Sequence, residues 1–158
     1  MLSQVTSQFC DLNQVKRHMR LPLREVLVPK LLAAFPDAGL LVGKGDEPLF
    51  VFPAKHSEVG DLIIQDEGDE ITVILGNITH RHFCSDSAEL DASQRADRIA
   101  TELQEYLRGL FADEIEFYGN GSKGGARSRG ATKRGLLSKF LLGRRSYVWS
   151  GPINNTTA

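Results

Sequence analysis

The chain has 158 residues, 41% of them apolar and 25% charged, with a net charge of −1 and a pI near 6.4. These values fit one folded domain with its own core and give no bulk attraction for polyanions. No run nears the roughly 18 apolar residues of a membrane helix, Cys10 and Cys84 make no disulfide framework, and MLSQVTSQFCDLNQ lacks the basic and apolar regions of a secretory signal, so the expected setting is the reducing cytoplasm.

Residues 1–20 are polar with scattered Phe9, Leu12, Val15 and Met19, the pattern of a weakly structured segment or a short helix. In LPLREVLVPKLLAAF, Leu23, Val26, Leu27, Leu31 and Phe35 recur near helical spacing. Pro29 removes an amide donor and is expected to kink or restart that helix, which Pro36, Asp37 and Gly39 then end. A block of strands follows: LLV (40–42), LFVF (49–52), DLIIQ (61–65) and ITVIL (71–75). DEGD between the last two reads as a hairpin turn with Gly68 at positive φ. Gly76-Asn77 reads either as a second hairpin turn or as a bulge within one long strand.

The strongest pattern is a helix from about 92 to 112. Asp91 stands as N-cap with Gln94 three residues on, and Ala96, Ile99, Ala100, Leu103, Leu107, Leu110 and Phe111 form an apolar stripe. EIEFY (114–118) alternates as a strand and YVW (147–149) supplies a last one. Strands in one block with helices on either side predict an α+β fold. Its expected form is a mostly antiparallel sheet with the 92–112 helix packed on it in two layers. Residues 21–152 form the single domain and 153–158 a frayed tail.

One charge anomaly stands out. GSKGGARSRGATKRGLLSKFLLGRRS (121–146) holds eight of the 19 basic residues and none of the 20 acidic ones. It therefore carries +8 against −9 on the remaining residues. The eight are Lys123, Arg127, Arg129, Lys133, Arg134, Lys139, Arg144 and Arg145. GNGSKGGARSRGATKRG (119–135) reads as a flexible Gly-rich loop, and LLSKFLLGRRS as a short basic helix with Leu136, Leu137, Phe140 and Leu141 on one stripe. Mobile Lys and Arg suit an anionic partner, and the apolar stripe suits docking on the domain itself, on another protein or on an anionic membrane surface. Only Phe140 is interleaved with the charges, so the stacking platform of a single-strand binder is missing. Gly119, Gly121 and Gly124 match G-x-G-x-x-G, but SKGGARSRG is a poor helix start and no cofactor is predicted from it.

The second feature is THRHFC. In a strand, His80, His82 and Cys84 face one side about 6 to 7 Å apart. Two imidazoles and a thiolate are zinc ligands, with His56 or Asp86 as a fourth, and a Cys beside a His can be a nucleophile. H-E-x-x-H and C-x-x-C are absent from the sequence. Asp66, Glu67, Asp69 and Glu70 cluster at the expected hairpin tip, where charge stays solvated and could accept the basic segment. The expected function is a non-enzymatic cytoplasmic binding or regulatory module acting through protein or anionic-partner contacts. The alternatives are a metal-dependent or Cys/His enzyme centred on THRHFC, and nucleic-acid binding through 121–146.

Overall fold

A computed structural model describes residues 21–119, 124–129 and 145–153. Helix α1 spans Leu23–Ala34 and buries Leu23, Leu27 and Leu31 on one face. Pro29 lies inside it, so of the kink or restart expected from sequence the restart does not occur. Both Pro29 and Glu25, whose carbonyl loses its amide partner, are exposed, so the cost of the missing bond falls at the surface rather than in the core.

Five strands then form an antiparallel sheet in sequence order: β1 (Leu41–Val42), β2 (Phe50–Phe52), β3 (Leu62–Asp66), β4 (Glu70–Leu75) and β5 (Thr79–Cys84). Each predicted strand is present within a residue or two. Gly76-Asn77 is a hairpin turn between β4 and β5, and Gly68 takes φ +96° in the turn between β3 and β4. The register builds rows across all five strands. Val42, Phe50, Ile64, Val73 and Arg81 form an inner row, and Leu41, Val51, Ile63, Ile74 and His80 an outer one. Phe50, Ile64 and Val73 are fully buried, so the inner face is the core face.

Helix α2 spans Ala92–Phe111 and opens with the expected capping box: Gln94 N–H donates to Asp91, and Asp91 N–H donates to the Gln94 side chain. Its buried face is Ala96, Ile99, Ala100, Leu103, Tyr106, Leu107 and Leu110. Truncating Leu103, which has no exposed surface, costs about 2–5 kcal/mol. The helix closes as a Schellman motif, with Asp113 N–H donating to Leu110 O and Glu114 N–H to Gly109 O. Asp113 stands at φ +59°, where glycine is usual. Its carboxylate accepts from the backbone N–H and hydroxyl of Ser150, which ties the helix end to the last hairpin.

A second antiparallel sheet has the order β7-β6-β8-β9, from β6 (Ile115–Gly119), β7 (Gly124–Ser128), β8 (Ser146–Val148) and β9 (Gly151–Pro152). β7 corrects the sequence reading, which placed these residues in a flexible loop; the pairing of Phe117 with Ala126 and Ile115 with Ser128 supplies the missing reason for order. Helices α1 and α2 pack together, joined at their surface by the Lys30–Asp97 ion pair and by Gln104 Nε2 donating to Lys30 O. One core runs through both helices and both sheets, and Trp149 belongs to it.

One close backbone approach holds two loops together. Gly76 has φ +49°, and a Cβ there would lie 1.9 Å from Val59 O. Gly45 has a similar φ, +59°, with open space around it. Gly76→Ala should therefore cost clearly more than Gly45→Ala: about 3 kcal/mol or more against about 1–2 kcal/mol for left-handed backbone alone. Urea unfolding of both variants checks this; equal midpoints would remove the role assigned to the close approach.

Candidate functional site

β5 is an edge strand, and alternation divides its side chains. Thr79 and Phe83 are buried on the inner face, while His80 and His82 are exposed on the outer one. The two imidazoles sit edge to face with ring centres 5.2 Å apart. His82 Nδ1 lies 3.0 Å from Glu70 Oε1 and 3.1 Å from Thr72 Oγ1, on the adjacent strand β4. An ionised carboxylate only accepts, so Nδ1 carries the proton donated to Glu70. In the neutral ring the lone pair is then on Nε2.

The third predicted member differs chemically. Cys84 is disulfide-bonded, so its sulfur is neither the thiolate that zinc binds nor a nucleophile. Cys10, the other cysteine of the chain, lies outside the described residues. His56, a proposed further ligand, packs its ring on Gly151 and accepts at Nδ1 from Glu58 N–H. Among the described residues no cluster of three or more His, Cys, Asp or Glu side chains is placed to hold a metal.

Arg81 and Tyr106, on the inner side of β5, were not singled out by sequence. The Arg81 guanidinium lies 4.8 Å from the Tyr106 ring centre and 5.0 Å from that of Phe83. Such contacts shield an apolar edge while the charge stays wet. Burial pushes the Tyr106 phenol up to about 12, against the opposing charge of Arg81. Among the described residues, the Tyr106 hydroxyl and Ser85 Oγ have no hydrogen-bond partner. The available signal was position: Tyr106 falls three residues after Leu103 and four before Leu110 on the buried stripe.

Of the eight basic residues proposed for an anionic partner, Arg127, Arg129 and Arg145 are described; Lys123, Lys133, Arg134, Lys139 and Arg144 lie outside the described residues, as does the predicted basic helix. Arg127 stands on β7, where its guanidinium donates to Glu116 at 2.7 Å and lies 5.8 Å from the Tyr118 ring centre. Burial works against ionised Glu116, but hydrogen bonds from Arg127 and Ser146 and the charges of Arg127 and Arg129 outweigh it and hold the carboxyl below its ordinary range. Arg145 pairs with Glu58 at 3.2 Å. Part of the basic segment is thus matched to acidic groups of the domain.

β7 is at the edge of its sheet, and every residue from Ala126 to Arg129 is exposed. Arg129 N–H donates to Glu114 O, which sets the hydrogen-bonding phase. In an antiparallel pair the bonded positions alternate, so Arg127 faces β6 with its backbone groups while those of Ala126 and Ser128 turn outward. The start of the strand is wedged: a Cβ on Gly124 would lie 2.6 Å from Tyr118 O and 2.8 Å from Ile78 O.

The acidic hairpin tip is less open than sequence implied. Glu67 is exposed, but Asp66, Asp69 and Glu70 are half-buried, and Leu21 N–H donates to Gly68 O. No described helix is long and apolar enough to cross a membrane.

Two outcomes follow from this geometry. Alkylation in denaturant should leave Cys84 unlabelled until a reductant is added; labelling without reductant contradicts the bonded state. Tyr106 stays neutral in the fold to about pH 12 but ionises near 10.0 when unfolded. Its contribution is intact below pH 10 and is lost, by about 2–3 kcal/mol, as pH rises through that interval. In a phenolate absorbance titration, Tyr106→Phe should remove the highest step and Arg81→Gln should move it higher; a folded midpoint near 10 for Tyr106 would count against its burial.

Comparison with known proteins leaves the residues to speak for themselves: no protein-family model, no curated protein and no solved structure matches this chain.

Proposed function

We propose that the chain is a non-enzymatic binding module whose partner is an extended, acidic segment of another protein, received along β7. The observation that supports this reading is β7 itself: an exposed sheet edge that combines outward backbone groups at Ala126 and Ser128 with cations at Arg127 and Arg129. An incoming strand would take its main-chain hydrogen bonds from the edge and its selectivity from side chains at alternate positions. Arg127 is held in place by Glu116, and a guanidinium has five donors, more than one carboxylate uses.

Charge distribution favours a short acidic segment over a long polyanion. Residues 121–146 carry +8, and the remainder of the chain carries −9. A short peptide feels mainly the basic edge, whereas a nucleic acid extending beyond a Debye length of roughly 8 Å meets the acidic body.

A fluorescent Glu/Asp-rich peptide of about ten residues and a single-stranded oligonucleotide of similar length make the test, each titrated at low and high salt. The peptide should bind more tightly than the oligonucleotide and weaken with salt. Arg129→Glu should weaken it about tenfold, near 1.4 kcal/mol. Ala126→Pro removes an outward N–H without breaking a bond to β6, so it should weaken binding while leaving the fold intact. Failure of the peptide to bind, or tighter binding of the oligonucleotide, overturns the proposal.

A further inference from the structure

We infer that His80 and His82 form a two-histidine site for a divalent late transition metal, with Cu2+ the tightest bound, on the outer face of β5. Three observations carry this. The first is reach. Two imidazoles held about 2 Å from one metal through one nitrogen each have ring centres about 5 Å apart, and reaching that state here needs the His80 ring to turn out of its edge-to-face packing on His82. The observed separation is 5.2 Å. The second is the electronic state of His82. Glu70 accepts from Nδ1–H at 3.0 Å, which leaves Nε2 as the free lone pair and fixes the orientation of the ring. This is the carboxylate–histidine arrangement that orients metal ligands elsewhere. The third is access: the His82 side chain is 38% exposed and His80 is exposed too, so solvent or a donor from another molecule can complete the coordination.

The ligand set decides the metal class. Cys84 is disulfide-bonded and lies one alternate position beyond His82, so soft thiolate coordination is not offered. Two imidazoles suit Cu2+, Ni2+ and Zn2+, and the order of stability of the divalent ions puts Cu2+ first. Two protein ligands with open positions make a readily exchanging site, in contrast with the closed four-ligand sites that hold structural zinc. The site stands on β5, in the five-stranded sheet, and is independent of the peptide edge at β7 in the other sheet.

The test uses the full chain with its disulfide intact and without an affinity tag. Calorimetric titration with Cu2+ should give one site per chain, and electron paramagnetic resonance of the 1:1 complex should show coupling to two imidazole nitrogens. His82→Ala and His80→Ala should each weaken binding at least about tenfold and leave one coupled nitrogen, while His56→Ala leaves both readouts unchanged. Glu70→Gln should weaken binding about tenfold with two nitrogens still coupled, because it removes the orienting carboxylate and not a ligand. Circular dichroism confirms that these surface variants fold. Wild-type affinity in the His80→Ala/His82→Ala double variant, or a wild-type spectrum with no imidazole coupling, overturns the assignment.

Discussion

Everything in this fold leans on the buried face of α2. A helix of 20 residues with seven buried side chains has to satisfy two sheets and a second helix at once. Its last residue, Phe111, shows how. The ring lies 5.3 Å from Phe35 after α1, 5.1 Å from Phe52 of β2, and 5.4 Å from Trp149 beside β8. These are aromatic contacts of the tilted and edge-to-face kinds, each stabilising by about 0.5–1.5 kcal/mol beyond burial. The chain must then leave the helix at once to start β6. Asp113 makes that turn in a left-handed conformation and uses its carboxylate to fix Ser150.

The surfaces proposed for peptide and metal binding lie where this core ends. β5 and β7 are edge strands of the two sheets, and the chain around β5 approaches the start of β7 where Gly124 meets Ile78 and Thr79. An edge strand has one flank of backbone and one face of side chains open to solvent, which gives a protein ready material for recognition and a standing risk of unwanted pairing. Here the edges carry charge. Arg81 covers the rim of the core by lying on Tyr106 and Phe83, and Arg127 is clamped by Glu116. Both arginines therefore serve packing as well as charge.

The two features found in the sequence have different standing in three dimensions. The histidine pair is assembled by strand geometry alone, since residues two apart share a face. Its chemistry depends on a neighbour: Glu70 precedes His82 by 12 residues and reaches it because β4 pairs with β5 in a register that sets Thr72 opposite His82. The basic segment was read as a loop because Gly and Ser dominate it. That reading failed for Gly124–Ser128, where β6 offers a ladder of partners. Local propensity is weak in such a stretch, and pairing decides.

The sequence by itself determined most of the elements and their faces, β7 excepted. Helix α2 with its capping box and the β3–β4 hairpin turning at Gly68 were both legible, because each follows from periodicity, capping or turn chemistry within a few residues. It also determined that His80 and His82 share a side and that charge is split between one segment and the rest. Only the tertiary structure decided that the strands divide into two sheets, that Gly76-Asn77 is a turn, that Tyr106 and Arg81 seal an edge, and that Glu70 fixes the His82 proton. Those outcomes depend on which distant backbone atoms come within about 3 Å of one another, and a linear pattern does not record such distances.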